Sequence, residues 1–176
     1  MFKWRWLKVL CAVYVFAAGH GAARTAHGAE AKDVRTPAIR VDVPVRLEKA
    51  DVVFNMDHLA FNGDLPIGMK YMDLLAKRYL EWHTKGKIIG IFHGPAAYLV
   101  LNDKAYNLHR HVGTGNPYKE LVAVLIRQGV QIEECGFSMK TNGWGNEDLL
   151  PGVKVDTGAI GRLIGLVQQG YVQIQP

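Results

Sequence analysis

Two hydrophobic rhythms alternate along the chain. Short β-rich runs stand at "ADVVFNM" (50–56), "KIIGIFH" (87–93), "VQIEEC" (130–135), "VKV" (153–155) and "YVQI" (171–174). Between them apolar side chains recur every three or four residues, the spacing of one helix face. Tyr71, Met72, Leu75, Tyr79 and Trp82 form such a stripe between Pro66 and Gly86. Leu121, Val122, Leu125 and Ile126 form a second between Pro117 and Gln128. Asn116 is placed as its N-cap, with proline at the first helical position. Ile160, Leu163, Ile164 and Val167 form a third over about 159–169. The segment 95–111 fits one helix or a short strand and a helix, and mostly helix is expected. A short helix is also expected in "GFSMKTNGW" after Cys135. Gly86, Gly129 and Gly170 stand where a chain leaving a helix needs positive φ.

Strands alternating with helices predict parallel βα units stacked in three layers. The expected fold is an α/β sandwich with a flavodoxin-like, mostly parallel five-stranded sheet. Right-handed crossovers restrict the topology to a doubly wound one. Residues 50–176 are expected to form this single domain. Residues 32–49 are polar and irregular, and "IRVDVPVRL" alternates like an arm or an edge strand, with Pro44 arguing against a central one.

The first 31 residues do not belong to that pattern. Lys3, Arg5 and Lys8 precede an apolar run from Val9 to Gly19, and Ala29-Glu30-Ala31 fits a small-residue cleavage site. This reads as a secretory signal peptide over 1–31. The run is shorter than the roughly 20 residues a membrane span requires. Cleavage after Ala23 or Ala29, or an uncleaved N-terminal anchor, are the alternatives. The expected location is the periplasm, with no membrane association of the mature form.

That reading changes the charge. The chain has 176 residues and a net charge of +5. Residues 1–31 hold four basic residues against Glu30, so only about +2 remains afterwards. No basic stripe with interleaved aromatics is present, so nucleic acid is not an expected partner. Of two cysteines, Cys11 lies in the signal and Cys135 is left alone. A disulfide within one chain is thereby excluded, and a solitary thiol in an oxidising compartment is notable.

Ligands of such sheets bind outside the carboxyl ends of the strands. Those ends read Asn55-Met56-Asp57-His58, Phe92-His93-Gly94-Pro95, Cys135-Gly136-Phe137-Ser138 and Asp156-Thr157-Gly158. Cys135, His93 and His58 thus fall at equivalent ends of three strands and are the candidate catalytic residues. A helix N-terminus after Cys135, with Lys140 nearby, lowers a thiol pKa. Asp57, Gly136, Ser138 and Lys140 are the candidate ligand-binding residues. Two plainer readings stand beside this one: Cys135 as a small buried hydrophobe, and His93 as a hydrogen-bonded structural histidine. His109 and His111 point apart on a helix, and no motif with metal-ligand spacing is present, so no metal or cofactor is expected. "GTGNP" (113–117) reads as a loop rather than a phosphate cradle. Trp144 reads as a packing residue.

"FHGPAAYLVL", "GVQIEECGFSMK" and "EDLLPGVKVDTGAIGRLIGLVQQGYVQI", in this order, resemble the DsrE/DsrF-like family, in particular its secreted members. The likeness covers roughly residues 50–175. It implies a flavodoxin-like fold without flavin and assembly as trimers or hexamers. It also implies a reactive cysteine after a central strand, a placement Cys135 shares, that carries sulfur as a persulfide. The expected function is a periplasmic sulfur-handling protein, a sulfurtransferase-like carrier with a sulfur donor or acceptor protein as partner. The alternative is a non-catalytic oligomeric binding module with a small-ligand or metal pocket at the strand ends. The apolar run Tyr98–Leu101 is compatible with a subunit contact or with burial in one core.

Overall fold

The runs "VVFNM" and "IIGIF" are apolar on both strand faces, the pattern of strands covered from both sides. In the structure, a computed structural model describing residues 38–176, they form β1 (Val52–Met56) and β4 (Ile88–Phe92), buried throughout. The sequence read as a signal, and residues 32–37 of the arm, lie outside the described residues. β5 (Gln131–Cys135), β6 (Lys154–Asp156) and β7 (Val172–Ile174) complete a five-stranded sheet of order β6-β5-β4-β1-β7. Every pairing in it is parallel. A small antiparallel hairpin, β2 (Phe61–Asn62) and β3 (Leu65–Pro66), follows β1. The fold is an α/β fold with helices on a parallel five-stranded sheet, as expected.

The strand order decides which helices go where. From β1 to β6 the chain advances in one direction, so right-handed crossovers put the connections on one face. The return from β6 to β7 runs the other way and puts its helix on the opposite face. Accordingly α1 (Ile67–Trp82) and α3 (Lys119–Arg127) pack Met69, Met72, Val122 and Leu125 against Phe54, Phe92 and Ile132. α5 (Ala159–Gln168) alone packs Leu163 and Leu166 against Val53, Ile89, Ile91 and Cys135. Alternate residues of β1 and β4 therefore serve two separate cores. Of the stripe Ile160, Leu163, Ile164 and Val167, expected to face inward, only Leu163 is buried; Ile160, Ile164 and Val167 stay exposed because a single helix covers this sheet face.

Helix boundaries differ from the sequence expectation at three places. α1 ends earlier, with His83 in the left-handed region at φ 56. Gly86 lies beyond it at φ 144, where a Cβ would sit 1.8 Å from the Ala50 carbonyl oxygen. Its absence of a side chain thus serves a close strand approach. Gly129 and Gly170, at φ 88 and 91, directly follow the C-caps of α3 and α5 as expected. The segment 95–111 splits into a 3-10 helix, Gly94–Val100, and α2 (Asp103–Arg110). Leu101 is extended there, and the Asn102 side chain caps α2 by accepting from Ala105 N–H at 2.9 Å. Tyr98–Leu101 is buried in the core of the single chain, so the run needs no neighbouring subunit to cover it. Asn116, 1% exposed, accepts from Tyr118 N–H at 2.8 Å and donates to the Leu99 and Leu101 carbonyls. It starts a turn, and α3 begins two residues later than Pro117.

The compact unit begins at Val43. Ile39, Val41, Val43 and Val45 are exposed and belong to no strand. No helix among the described residues is long and apolar enough to cross a membrane.

Candidate functional site

Cys135 is the last residue of β5 and the N-cap of α4 (Gly136–Asn142). It is 4% exposed. Its Sγ accepts a hydrogen bond from Ala159 N–H, the first residue of α5, at 3.3 Å. The sulfur is thus buried among the apolar residues of the smaller core and also touches a polar donor. Two helices begin at it, and their unpaired amides favour negative charge. Cys135, His93, Ser138, Thr157 and Gly158 are among the residues that line a cleft of about 570 Å³. Such a volume is in the range of small-molecule sites.

His93 follows β4 with extended backbone and continues the ladder through its N–H to the Met56 carbonyl at 3.0 Å. Its Nε2 lies 2.7 Å from Asn55 Oδ1. Asn55 Nδ2 donates to Gln175 Oε1 at 2.6 Å, so its Oδ1 is the atom left to accept. The Nε2 of His93 therefore carries the proton, and Nδ1 has no hydrogen-bond partner among the described residues. Burial pushes the imidazole pKa below its ordinary value, against the opposing charge of Asp57. His93 is a neutral, oriented acceptor at neutral pH. The Gly94 N–H beside it donates to Ser138 Oγ at 3.2 Å and joins this strand end to α4.

Asp57 and His58 pair with one another, Nδ1 to Oδ1 at 2.6 Å, on the exposed side of this network. Gln175 Nε2 donates to Asp57 at 2.7 Å. Burial alone raises the Asp57 pKa, yet the hydrogen bonds from His58 and Gln175 hold it below the usual carboxylate range. Asp57 and His58 thus support the strand end rather than line the cleft. Lys140 is exposed in the last turn of α4 and is not among the cleft walls either. Gly136 serves by size. A Cβ there would stand 2.6 Å from the Asp156 carbonyl oxygen. Of the candidate residues named from the sequence, the cleft brings together Cys135, His93 and Ser138.

Three carboxylates stand on β5 and β6 close to Cys135 in sequence or register. Glu133, two residues before Cys135 on the same strand face, accepts two hydrogen bonds of 2.8 Å from Arg162 of α5. Glu134 points to the larger core, is 0% exposed, and neither carboxyl oxygen has a partner among the described residues. Burial, and the charges of Cys135 and Asp156 when ionised, push its pKa up to about 10, so it is a neutral acid. Asp156 is raised to about 6 by burial and by Glu133, against the Gly158 amide and Arg162. The sequence puts Asn55 and Asp156 at strand ends without giving them a role. A polar residue inside the apolar run "VVFNM" is the available signal for Asn55.

The other singled-out residues have structural places. His109 stacks on Tyr98 at 5.5 Å and meets the edge of Trp144 at 5.1 Å. The loop amides of Gly115 and Asn116 are taken by Asn107 and Asp103. Among the described residues no three His, Cys, Asp or Glu side chains are grouped to hold a metal ion.

No curated protein matches the chain. Among solved structures, it is similar to a protein of unknown function, MTH1491 from Methanobacterium thermoautotrophicum. The identity is 19%, the TM-score 0.56, and the match covers 72% of this chain and 99% of that one. The ychN protein from E. coli matches at 15% identity and TM-score 0.49, over 72% of this chain and 99% of that one. The first likeness shows the fold. The DsrE/DsrF-like family matches residues 69–176, which hold His93, Cys135 and every strand of the main sheet after β1. The chain belongs to the DsrE/DsrF-like family.

Proposed function

We propose that this protein handles sulfur in the periplasm. Cys135 accepts a sulfane sulfur from a donor, holds it as a persulfide and passes it to an acceptor protein. One observation carries this reading: the only free cysteine of the described residues lines an open cleft while its Sγ accepts from the first amide of α5. A thiolate and a persulfide anion are both stabilised by such a donor. Neutral His93 on the cleft wall is suited to accept a hydrogen bond or a proton. Membership in a family associated with sulfur relay supports the same chemistry. The basic, apolar and small-residue order of residues 1–31 supports the location. The exposed Ile160, Ile164 and Val167 support assembly of several copies, a trimer or hexamer.

The test is intact-mass spectrometry of the purified chain after incubation with polysulfide. Addition of one sulfur atom, abolished in Cys135→Ser and reversed by reductant, is the expected result. Absence of the adduct in the wild-type protein ends this reading. A second reading, a binding module without sulfur chemistry, is favoured by the cleft volume of about 570 Å³, more than a single sulfur occupies. Small-ligand binding retained in full by Cys135→Ser, with no sulfur adduct in the wild type, selects it.

A further inference from the structure

Cys135 and Asp156 are direct partners in the parallel register of β5 and β6. Partners in register leave the same sheet face, on strands about 5 Å apart. That face is the one on which Cys135 meets α5. The end of β6 packs on the start of α4, where a Cβ on Gly136 would stand 2.6 Å from the Asp156 carbonyl oxygen. Thr157 and Gly158, which follow it, are cleft walls. On the other flank His93 continues β4, whose Phe92 is in register with Glu134.

The carboxylates differ in what they are free to do. Both oxygens of Glu133 are engaged, by Arg162 and by the Gln131 amide. Both oxygens of Asp156 are buried and no side chain of the described residues hydrogen-bonds to them, the Gly158 backbone amide being the donor that faces the carboxylate. Glu134 likewise has no side-chain partner but faces the opposite core. A thiol that becomes a nucleophile must lose its proton to some acceptor. Of the carboxylates, the free lone pairs on its own sheet face belong to Asp156, and the unengaged His93 Nδ1 on the other flank is the one competing acceptor.

We propose that Asp156 is the acid–base partner of Cys135, taking the thiol proton when Sγ attacks a sulfane sulfur and returning it to the departing thiol. This rests on the persulfide reading above. With a low-molecular-weight persulfide R–S–SH as donor, a bond forms between Cys135 Sγ and the outer sulfur. The donor S–S bond breaks, and its electron pair leaves on R–S⁻. The proton held by Asp156 moves to R–S⁻, giving R–SH and Cys135–S–SH. The exchange is isoelectronic overall and needs no external oxidant or reductant. Around Asp156 the charged and titratable neighbours are Glu133, Glu134 and Cys135 on β5, Arg162 on α5 and Lys154 on its own strand. Lys154 is turned to Gln131.

The experiment measures single-turnover sulfur loading from glutathione persulfide on the full chain, by intact mass, between about pH 5 and 8. Asp156→Asn is expected to slow loading at least about tenfold while reaching the same single adduct. The wild-type rate falls as pH drops through about 6, where Asp156 protonates, and the variant lacks this limb. Asp156→Glu restores part of the rate and shifts the limb. Loading by Asp156→Asn at the wild-type rate overturns the proposal, as does loss of the limb in His93→Gln alone. If wild type does not load at all, the persulfide reading fails separately. The role of Asp156 is then decided by iodoacetamide alkylation of Cys135. A limb near pH 6 that disappears in Asp156→Asn upholds it, and an unchanged profile overturns it. If Asp156→Asn does not fold, the Asp156→Glu profile decides in the same way, by a shifted or an unshifted limb.

Discussion

Glu134 is the residue whose chemistry is most at odds with its surroundings. Its carboxyl is fully buried without a hydrogen-bond partner among the described residues, and its pKa is raised to about 10. The unfolded chain releases this proton near the ordinary value of 4.5. The folded state therefore holds a proton that the unfolded state has lost over the interval between. Its stability is largest below about pH 4.5 and declines as pH rises toward 10. Glu134→Leu removes that slope and an unpaired polar group together. It is expected to stabilise the protein by about 1–3 kcal/mol at neutral pH, and by more at about pH 9. Urea midpoints across that range check it, and a pH-independent difference would refute the assignment. Asn55 acts differently, by fixing one proton. Asn55→Leu leaves His93 Nε2–H without its acceptor at 2.7 Å. Nitrogen-15 NMR of the imidazole is expected to show a mixture of tautomers where the wild type shows one, with a stability loss of about 1–3 kcal/mol.

At the scale of elements, Gly136 at the start of α4 and Gly165 inside α5 have opposite consequences. Gly136 opens α4 where any side chain meets the Asp156 carbonyl oxygen at 2.6 Å, a backbone atom that cannot turn aside. Gly136→Ala is expected to cost about 1–3 kcal/mol and to change the alkylation rate of Cys135. Gly165 lies inside α5 with nothing within 4 Å of the position a methyl group would take. Gly165→Ala is expected to raise stability by about 0.5–1 kcal/mol through helix propensity, read as a higher melting temperature. If Gly136→Ala proves neutral, the close contact of β6 with α4 is wrong. α5 itself is pinned by the paired hydrogen bonds from Arg162 to Glu133. That half-buried ion pair and the Ala159 amide tie α5 to β5 at Glu133 and at Cys135.

For the whole molecule, the strand order leaves one sheet face with a single helix. Ile160, Ile164 and Val167 lie at 66%, 54% and 47% exposure along that helix. In the proposed assembly this face meets another copy. Ile160→Asp together with Ile164→Asp is then expected to yield monomers in sedimentation velocity, with the far-ultraviolet circular dichroism unchanged. A wild-type monomer at high concentration would dispose of the assembly proposal. Because Ile160 is also a cleft wall, assembly and sulfur loading are expected to be linked, and loading by the double variant measures how strongly.

The fold was legible because its signals are local. Buried parallel strands are apolar on both faces, amphipathic helices repeat every three or four residues, and Gly129 and Gly170 mark helix ends wherever the helix packs. Cys135, His93 and Ser138 were legible as strand-end residues for the same reason, since a strand's end is a property of its own sequence. What the chain could not disclose locally was register and crossing. That Asp156 faces Cys135 depends on how β6 aligns with β5. The amide that reaches the sulfur belongs to a helix 24 residues later in the chain. Asp57 and His58 follow a strand end as expected, yet they pair with one another and with Gln175 rather than line the cleft, and Lys140 falls in the last turn of α4 instead of beside the sulfur. Hydrophobic periodicity acts over a few residues and sets elements. The surroundings of a buried thiol depend on contacts distant in sequence, and only packing brings those together.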